Sequence, residues 1–284
     1  MIRSARVTLV LAAALSAWIA RAEPVVWMMP ELPPMVMAGG PLAGQGVGQA
    51  IFTILARQMP DFQWRMETAA PLRVLHEMQH RDGICSFAFA KLPEREGKML
   101  FSQRAMTMPG FGVILREERL GEFQRFLDSN GAVDLSLLGH ARGLTGGYVV
   151  ARPHFGVLQH YIDDPRYKPS LVADDPIRLF RQLAAHHLDF LFGLRDETNY
   201  FAAVIGGAHF TSLPIAGTEK FGQAYLGCST GPLGQQVMQA LDAWLADDRH
   251  WAEFAAPWER WLSPADYAAA LVPFTPAPSG NRSR

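Results

Sequence analysis

Hydrophobic positions in this chain follow two patterns that alternate along its length. Short, continuous apolar runs, such as VVWMM at 25–29, predict buried strands. Between these runs, apolar residues recur at helical spacing, as Ile51, Ile54 and Leu55 do. Repeated strand–helix–strand units of this length predict an α/β fold with parallel strands that bind ligands at their carboxyl edge.

The two patterns divide most of the chain into strands and helices. The predicted strands cover residues 25–29, 62–67, 84–90, 107–115, 144–151, 171–173, 188–192, 209–215 and 223–228. The predicted helices cover residues 71–82, 122–128, 133–138, 153–162, 176–186, 234–246, 250–262 and 263–271, and a further helix follows the glycine-rich turn at 44–48. That turn lacks the full spacing of a dinucleotide-binding loop, and we expect no cofactor.

The N-terminus has the composition of an export signal. Arg3 and Arg6 precede an apolar run at 7–20, and Ala20-Arg21-Ala22 provides a small-x-small cleavage site. The run is too short and too rich in alanine for a membrane span, which needs about 20 apolar residues. We predict a signal peptide at 1–22, cleavage after Ala22, and a periplasmic product that does not insert into the membrane.

Composition limits the classes of partner. The chain has 284 residues, of which 49% are hydrophobic and 19% are charged, as in a globular protein with a substantial core. Its length suits two lobes that each have a core of their own. A formal net charge of −1 gives no electrostatic reason to expect nucleic acid or an anionic membrane as a partner.

The two cysteines, Cys85 and Cys228, each lie beside or within a predicted strand. An even number of cysteines in an oxidising compartment favours a disulfide. We therefore predict that Cys85 and Cys228 are joined. Two separate buried thiols are the alternative.

The helix at 71–82 contains a formal zinc-protease motif. His76-Glu77-Met78-Gln79-His80 matches H-E-x-x-H, which places two histidines on one face of a helix. Catalytic zinc needs a third protein ligand, and Ser86 stands at the position where the longer metzincin pattern has a histidine. A zinc hydrolase that uses His76, Glu77 and His80 is therefore kept only as an alternative function, and an exposed polar helix face is the simpler interpretation.

The segment 84–102, ICSFAFAKLPEREGKMLFS, has a more specific order of features. A buried strand is followed by Leu-Pro-Glu-Arg, and the aromatic-Ser pair Phe101-Ser102 comes shortly after Arg95. This order resembles the signature segment of the bacterial family 3 periplasmic solute-binding proteins. In that family the arginine binds the carboxylate of an amino acid, so the resemblance implies the same role for Arg95. It also implies a monomer that delivers a small-molecule ligand to a membrane permease of an ABC transporter, or to a sensor.

The resemblance implies a two-lobed periplasmic-binding-protein fold of type II with a hinge of two crossovers. In this arrangement the first lobe comprises residues 23–115 and 215–271, and the second lobe comprises residues 116–214. The tail at 272–284, rich in Pro, Ser, Gly and Arg, is predicted to be disordered.

Two positions depart from the family pattern. Asp189 matches the first acidic residue of a conserved strand motif, but Leu194 replaces the second, which pairs with the ligand's ammonium group. Leu92 replaces a threonine that precedes the arginine. These departures argue against an ordinary α-amino acid. A dehydratase on the same fold is a further alternative.

The candidate ligand-binding residues combine cations with apolar side chains. Arg95 and Arg152 each follow a predicted strand, one in each lobe, and guanidinium groups bind planar anions in a bidentate manner. We therefore expect an anionic ligand that carries a carboxylate, such as an organic acid. The full set of candidates is Trp27, Met29, Lys91, Arg95, Arg152, Phe155 and Arg195.

Overall fold

The structure, a computed structural model, describes residues 23–275 apart from 31, 142, 151–155, 167–170 and 174. The predicted signal peptide lies outside the described residues, as do Arg152 and Phe155 and the tail beyond residue 275. The part of the tail that is described pairs with the first sheet, because Phe274 exchanges both backbone hydrogen bonds with Ala105.

The strands form two five-stranded sheets. They are β1 (Val25–Pro30), β2 (Trp64–Ala69), β3 (Ile84–Phe89), β4 (Leu100–Pro109), β5 (Phe111–Arg116), β6 (Gly146–Val149), β7 (Leu171–Ala173), β8 (Phe190–Leu194), β9 (Phe210–Pro214) and β10 (Phe221–Cys228). The first sheet has the order β2-β1-β3-β10-β4, and the second has the order β7-β6-β8-β5-β9. In each sheet three neighbouring strands pair in parallel, and one strand, β10 in the first sheet and β5 in the second, runs antiparallel between them and the edge strand, β4 or β9.

Helices cover both faces of each sheet. They are α1 (Val47–Gln58), α2 (Pro71–His80), α3 (Leu120–Phe123), α4 (Leu135–His140), α5 (Gly156–Asp163), α6 (Pro176–Ala184), α7 (Thr198–Ile205), α8 (Pro232–Leu245), α9 (Asp248–Ala255) and α10 (Pro264–Ala270). On the first sheet, Trp27 faces a core that includes Leu55 and Phe254, while Met28 on the opposite face packs with Met78 of α2. The predicted α/β fold with two lobes is confirmed.

The chain changes sheets at Gly110. The predicted strand at 107–115 is in fact the end of β4 and most of β5, which belong to different sheets. The change therefore falls before residue 111 and not after residue 115. A Cβ at Gly110 would lie 2.7 Å from the carbonyl oxygen of Glu219, in the second crossover, so only glycine lets the two crossovers run this close together. The Gly110 N–H donates to the Lys220 carbonyl at 3.1 Å.

The predicted disulfide is confirmed. Cys85 and Cys228 are directly opposite each other on the antiparallel strands β3 and β10, with Cα atoms 4.1 Å apart. The bond joins positions 143 residues apart in the sequence. The disulfide therefore ties β10 to β3, the strand that leads to Arg95.

Candidate ligand-binding cleft

The crossovers bring the carboxyl edges of both sheets together. Phe111, the first residue of β5, pairs with Leu194 at the end of β8, and Phe221 at the start of β10 pairs with Pro109 at the end of β4. Both crossovers thus join the edge where β1, β2 and β3 end to the edge where β6, β7 and β8 end. Ligands of parallel α/β sheets bind at such edges. We call the space between these two edges the interlobe cleft.

Arg95 lies at the end of β3, on the first-lobe side of this cleft. It is the last residue of a 3-10 turn that covers Pro93–Arg95, and its side chain is half-buried. Its Nη1 donates to the Ala90 carbonyl at 3.0 Å, and its guanidinium carbon lies 5.8 Å from the centre of the Phe89 ring. A guanidinium has several N–H donors in a fixed fork, so one bond to a carbonyl holds the group in place and leaves donors for an anion.

Lys91 is exposed in the same turn and adds a second positive charge. Its Nζ lies 5.9 Å from the centre of the Phe101 ring. The Phe101 ring in turn makes an edge-on contact with Tyr225. The two cationic residues predicted after β3 therefore each lie near an aromatic ring of the first sheet.

The backbone just before Arg95 has an unusual conformation. Ala88 has a φ of 72°, in the left-handed region that residues with a Cβ rarely adopt. The pairing of β10 shifts register between Tyr225 and Gly227, beside the same end of β3. A Cβ at Gly227 would lie 2.3 Å from the terminal methyl of Met99, so a side chain there would have to displace Met99. Strained residues of this kind are concentrated at ligand sites, and this one lies in the strand that leads to Arg95.

Trp27 and Met29 do not reach the cleft in this structure. Both are fully buried, on the face of β1 that packs against α1. The Trp27 Nε1 donates to the Gly48 carbonyl at 3.1 Å, and Ser86 Oγ lies 3.5 Å from the Met29 sulfur. Side chains alternate along a strand, so the odd-numbered residues of β1 all face the core below α1. In this structure these two residues pack in the core and anchor α1.

Arg195 is also buried in a structural contact, an ion pair with Asp266. Its Nη2 donates to both carboxylate oxygens of Asp266, at 2.6 and 2.9 Å, and its Nη1 donates to the Lys220 carbonyl at 3.2 Å. Both side chains are buried, with 7% and 4% of their surface exposed. The pair ties the second lobe to α10 of the first. Ser263, the N-cap of α10, donates its hydroxyl to Asp266 at 2.8 Å.

A second contact between the lobes lies next to this ion pair. The Asn199 Nδ2 donates to the Leu262 carbonyl at 3.3 Å, and the Tyr200 and Trp261 rings are in edge-on contact. Sequence reasoning missed both this contact and the role of Asp266. The pairing could not be read from the chain, because Arg195 and Asp266 are 71 residues apart.

The positions that correspond to the family's acidic residues have separate roles. Asp189 is at the far end of β8 from the cleft, where it accepts hydrogen bonds from the Thr145 N–H and the Arg119 side chain. Glu122 and Asp189 both hydrogen-bond to Arg119 and hold its pKa well above the ordinary value. Leu194 is half-buried at the cleft end of β8, so an apolar side chain occupies the position of the family's second aspartate.

The H-E-x-x-H residues lie on an exposed side of α2. The His76 and His80 rings stack with their centres 4.1 Å apart, and the Glu77 carboxylate is held by Arg81 at 2.8 Å and by Arg73 at 3.6 Å. The hydrogen bond from Arg81 lowers the pKa of Glu77. Within the described part of the chain, no group of three or more His, Cys, Asp or Glu residues is arranged to hold a metal ion.

Three exposed apolar side chains at the cleft edges were not predicted. Leu32 follows β1 and is 41% exposed, Leu72 follows β2 and is 82% exposed, and Val150 follows β6 and is 57% exposed. Their only sequence signal is their position shortly after a predicted strand. Among the residues described, no helix has the length and hydrophobicity needed to cross a bilayer.

Comparison with known proteins identifies the fold. No family model and no curated protein matches the chain. Among solved structures, an ancestral cationic amino acid solute-binding protein superposes with a TM-score of 0.61 at 12% identity, over 84% of this chain and 96% of that one. The chain has the two-lobed fold of the periplasmic solute-binding proteins.

Two further structures show how widely this fold is used. A periplasmic binding protein from Salmonella typhimurium with high arginine specificity matches with a TM-score of 0.53 at 13% identity, over 84% of this chain and 99% of that one. A histidine kinase sensor domain with similarity to periplasmic binding proteins matches with a TM-score of 0.54 at 15% identity, over 86% and 99%. The fold therefore occurs both in binding proteins and in a sensor domain.

Proposed function

We propose that this protein is an exported solute-binding protein that captures a small anionic ligand, carrying a carboxylate, between its two lobes. The observation that carries the proposal is the position of Arg95. Its guanidinium is held at the carboxyl edge of the first sheet, where the crossovers bring the second lobe opposite. Lys91 adds positive charge to the same turn. Closure about the crossovers would enclose the ligand, as in other hinged binding proteins.

The ligand need not be an α-amino acid. Leu194 stands where the family has the aspartate that pairs with an ammonium group, and burying an unpaired ammonium next to leucine would be costly. An organic acid satisfies Arg95 without that cost. Arg152 of the second lobe, outside the described residues, is proposed as a second anion contact. The loaded protein would then be presented to a membrane permease or to a sensor.

Calorimetry tests this proposal. A thermal-shift screen of amino acids, organic acids and short peptides identifies the ligand class, and titrations follow with wild type, Arg95→Ala and Arg152→Ala. Loss of a hydrogen bond to a charged group should weaken binding by about 1.5–3 kcal/mol. Arg57→Ala is the matched control, because Arg57 is an exposed arginine near the C-terminal end of α1 that pairs with Glu253. Unchanged affinity in both cleft variants would refute the anion site.

A turnover assay separates the proposal from an enzyme on the same fold. The ligand found in the screen is incubated with the protein and followed by NMR. A binding protein leaves it unchanged, whereas a dehydratase would release water and form a new double bond.

A further inference from the structure

Along the carboxyl edge of the first sheet, exposed apolar residues follow the two strands beside the one that leads to Arg95. Strands β2, β1 and β3 are adjacent, and they lead to Leu72, Leu32 and Arg95 in that order. Neighbouring strands are about 4.8 Å apart, so this row of strand ends extends roughly 10 Å from β3 to β2. The apolar end of the row is therefore within the reach of a small molecule whose anionic group is bound at Arg95.

Core packing does not account for Leu72. The residues of α2 that face the first sheet are Val74 and Met78, which are both buried, whereas Leu72 is 82% exposed. Single exposed leucines are common on protein surfaces. Here, however, Leu32 is also exposed, just after the adjacent strand β1 at the same edge.

The opposite lobe continues the apolar surface. Val150, at the end of β6, is 57% exposed, and Leu194 is half-buried at the end of the adjacent β8. The two crossovers place these strand ends across the cleft from β1, β2 and β3. Apolar side chains on both sides of a cleft lose contact with water when the lobes close on an apolar group.

We infer that the ligand carries an apolar group, aliphatic or aromatic, which Leu32 and Leu72 of the first lobe and Val150 of the second pack against on closure. This inference rests on the proposed function, because it assumes that Arg95 binds the anionic end. The two ends of the ligand are then separated by roughly 5–10 Å, one or two strand spacings. An unbranched acid of medium length or an arylalkyl acid has these dimensions.

The test compares carboxylates of similar size on the mature full-length protein. Hexanoate and 3-phenylpropionate provide an apolar end, while succinate and citrate do not. We expect the apolar acids to bind at least about tenfold more tightly, the change expected from burying one aliphatic side chain. Their binding should also show the negative heat-capacity change that marks burial of apolar surface.

Two variants locate the contact. Leu72→Ser should weaken binding of the apolar acids about tenfold and reduce the heat-capacity change. Val272→Ser is the matched control, because Val272 is 67% exposed but lies near Phe274, which pairs with β4 at the opposite edge of the sheet.

The possible outcomes separate this inference from the proposed function. If succinate or citrate binds as tightly as the apolar acids and Leu72→Ser changes nothing, the inference is wrong while the anion site stands. If hexanoate and 3-phenylpropionate bind Arg95→Ala as tightly as wild type but bind Leu72→Ser about tenfold more weakly, the anion site is wrong while the apolar contact stands. If none of the four acids binds, both are overturned.

Discussion

Arg195 and Asp266 form a buried ion pair that joins the second lobe to the last helix of the first. The pair has two hydrogen bonds, at 2.6 and 2.9 Å. The aliphatic part of Arg195 packs on Gly112, where a Cβ would lie 2.7 Å from Arg195 Cγ. The pair is therefore a buried contact beside the two crossovers that links the second lobe to α10.

Removal of one partner of this pair should be strongly destabilising. Asp266→Asn leaves the Arg195 charge buried without its counterion, which costs about 3–5 kcal/mol in comparable cases. Chemical denaturation measures the loss. Replacement of both partners, with Arg195→Met and Asp266→Leu, should recover much of it. The exposed pair of Arg57 and Glu253 is the control, and its removal should cost less than about 1 kcal/mol. A similar small loss at Asp266 would contradict a structural role for the pair.

The disulfide between Cys85 and Cys228 leads to two predictions. Thiol labelling of denatured, unreduced protein should detect no free cysteine, since both sulfurs are in the disulfide. Reduction, or Cys85→Ala with Cys228→Ala, should lower the free energy of unfolding by about 5 kcal/mol in the chain-entropy model for a loop of this length. Labelling of two thiols would show that the bond does not form.

Asp82 connects the start of β3 to the first turn of α8. Its carboxylate accepts hydrogen bonds from the N–H groups of Leu233 and Gly234, both at 2.9 Å, and from the Ser229 hydroxyl at 3.2 Å. Burial alone would raise the pKa of Asp82, but the hydrogen bonds from Gly234, Leu233, Gly83 and Ser229 lower it overall.

This lowered pKa predicts how stability depends on pH. The native state binds the proton less tightly than the unfolded chain, so the contribution of Asp82 is complete above about pH 4 and is lost as the pH falls through the native pKa. Asp82→Asn should destabilise the protein at neutral pH by about 1–2 kcal/mol, the usual value of an N-terminal helix cap. Its stability should also depend less on pH below 4 than that of wild type. Asp61→Asn, at an exposed site, should show neither effect.

Gly110 should be intolerant of a side chain. Gly110→Ala would place its Cβ against the Glu219 carbonyl in the other crossover, and overpacking of this kind costs about 1–3 kcal/mol. Gly222→Ala is a close control, because an added Cβ there meets no atom within 4 Å. Thermal unfolding of the two variants compares them directly. Equal stability would show that the crossovers can separate without cost.

Metal analysis tests the H-E-x-x-H alternative. We expect the purified protein to carry no stoichiometric zinc and to cleave no peptide, because two histidines on an exposed helix lack the third ligand of a catalytic site. Glu77, the residue that would act as base, is held by Arg81 and Arg73. If the wild type carries one equivalent of zinc and His76→Ala carries none, a zinc hydrolase would be favoured over a binding protein.

The sequence by itself determined most of the secondary-structure elements, because these depend on patterns within short windows. The run at 84–90 specified β3, and the proline and charges after it specified the turn with Arg95. The pairing of Cys85 with Cys228 was also predictable, since the predicted export signal favours a disulfide and two cysteines allow only one pairing. These inferences needed only local periodicity and residue chemistry.

Tertiary structure decided which face each side chain presents and which charges pair. Trp27 and Met29 were expected at a ligand, but the position of α1 places their face of β1 in the core. Arg195 was expected to bind an anion, but Asp266 lies against it in the folded chain. Both outcomes depend on contacts between distant segments, which no local window contains. Arg95 lies at the edge where the lobes meet, and its guanidinium donates a hydrogen bond to the Ala90 carbonyl. A guanidinium has several N–H donors, so it can still bind an anion.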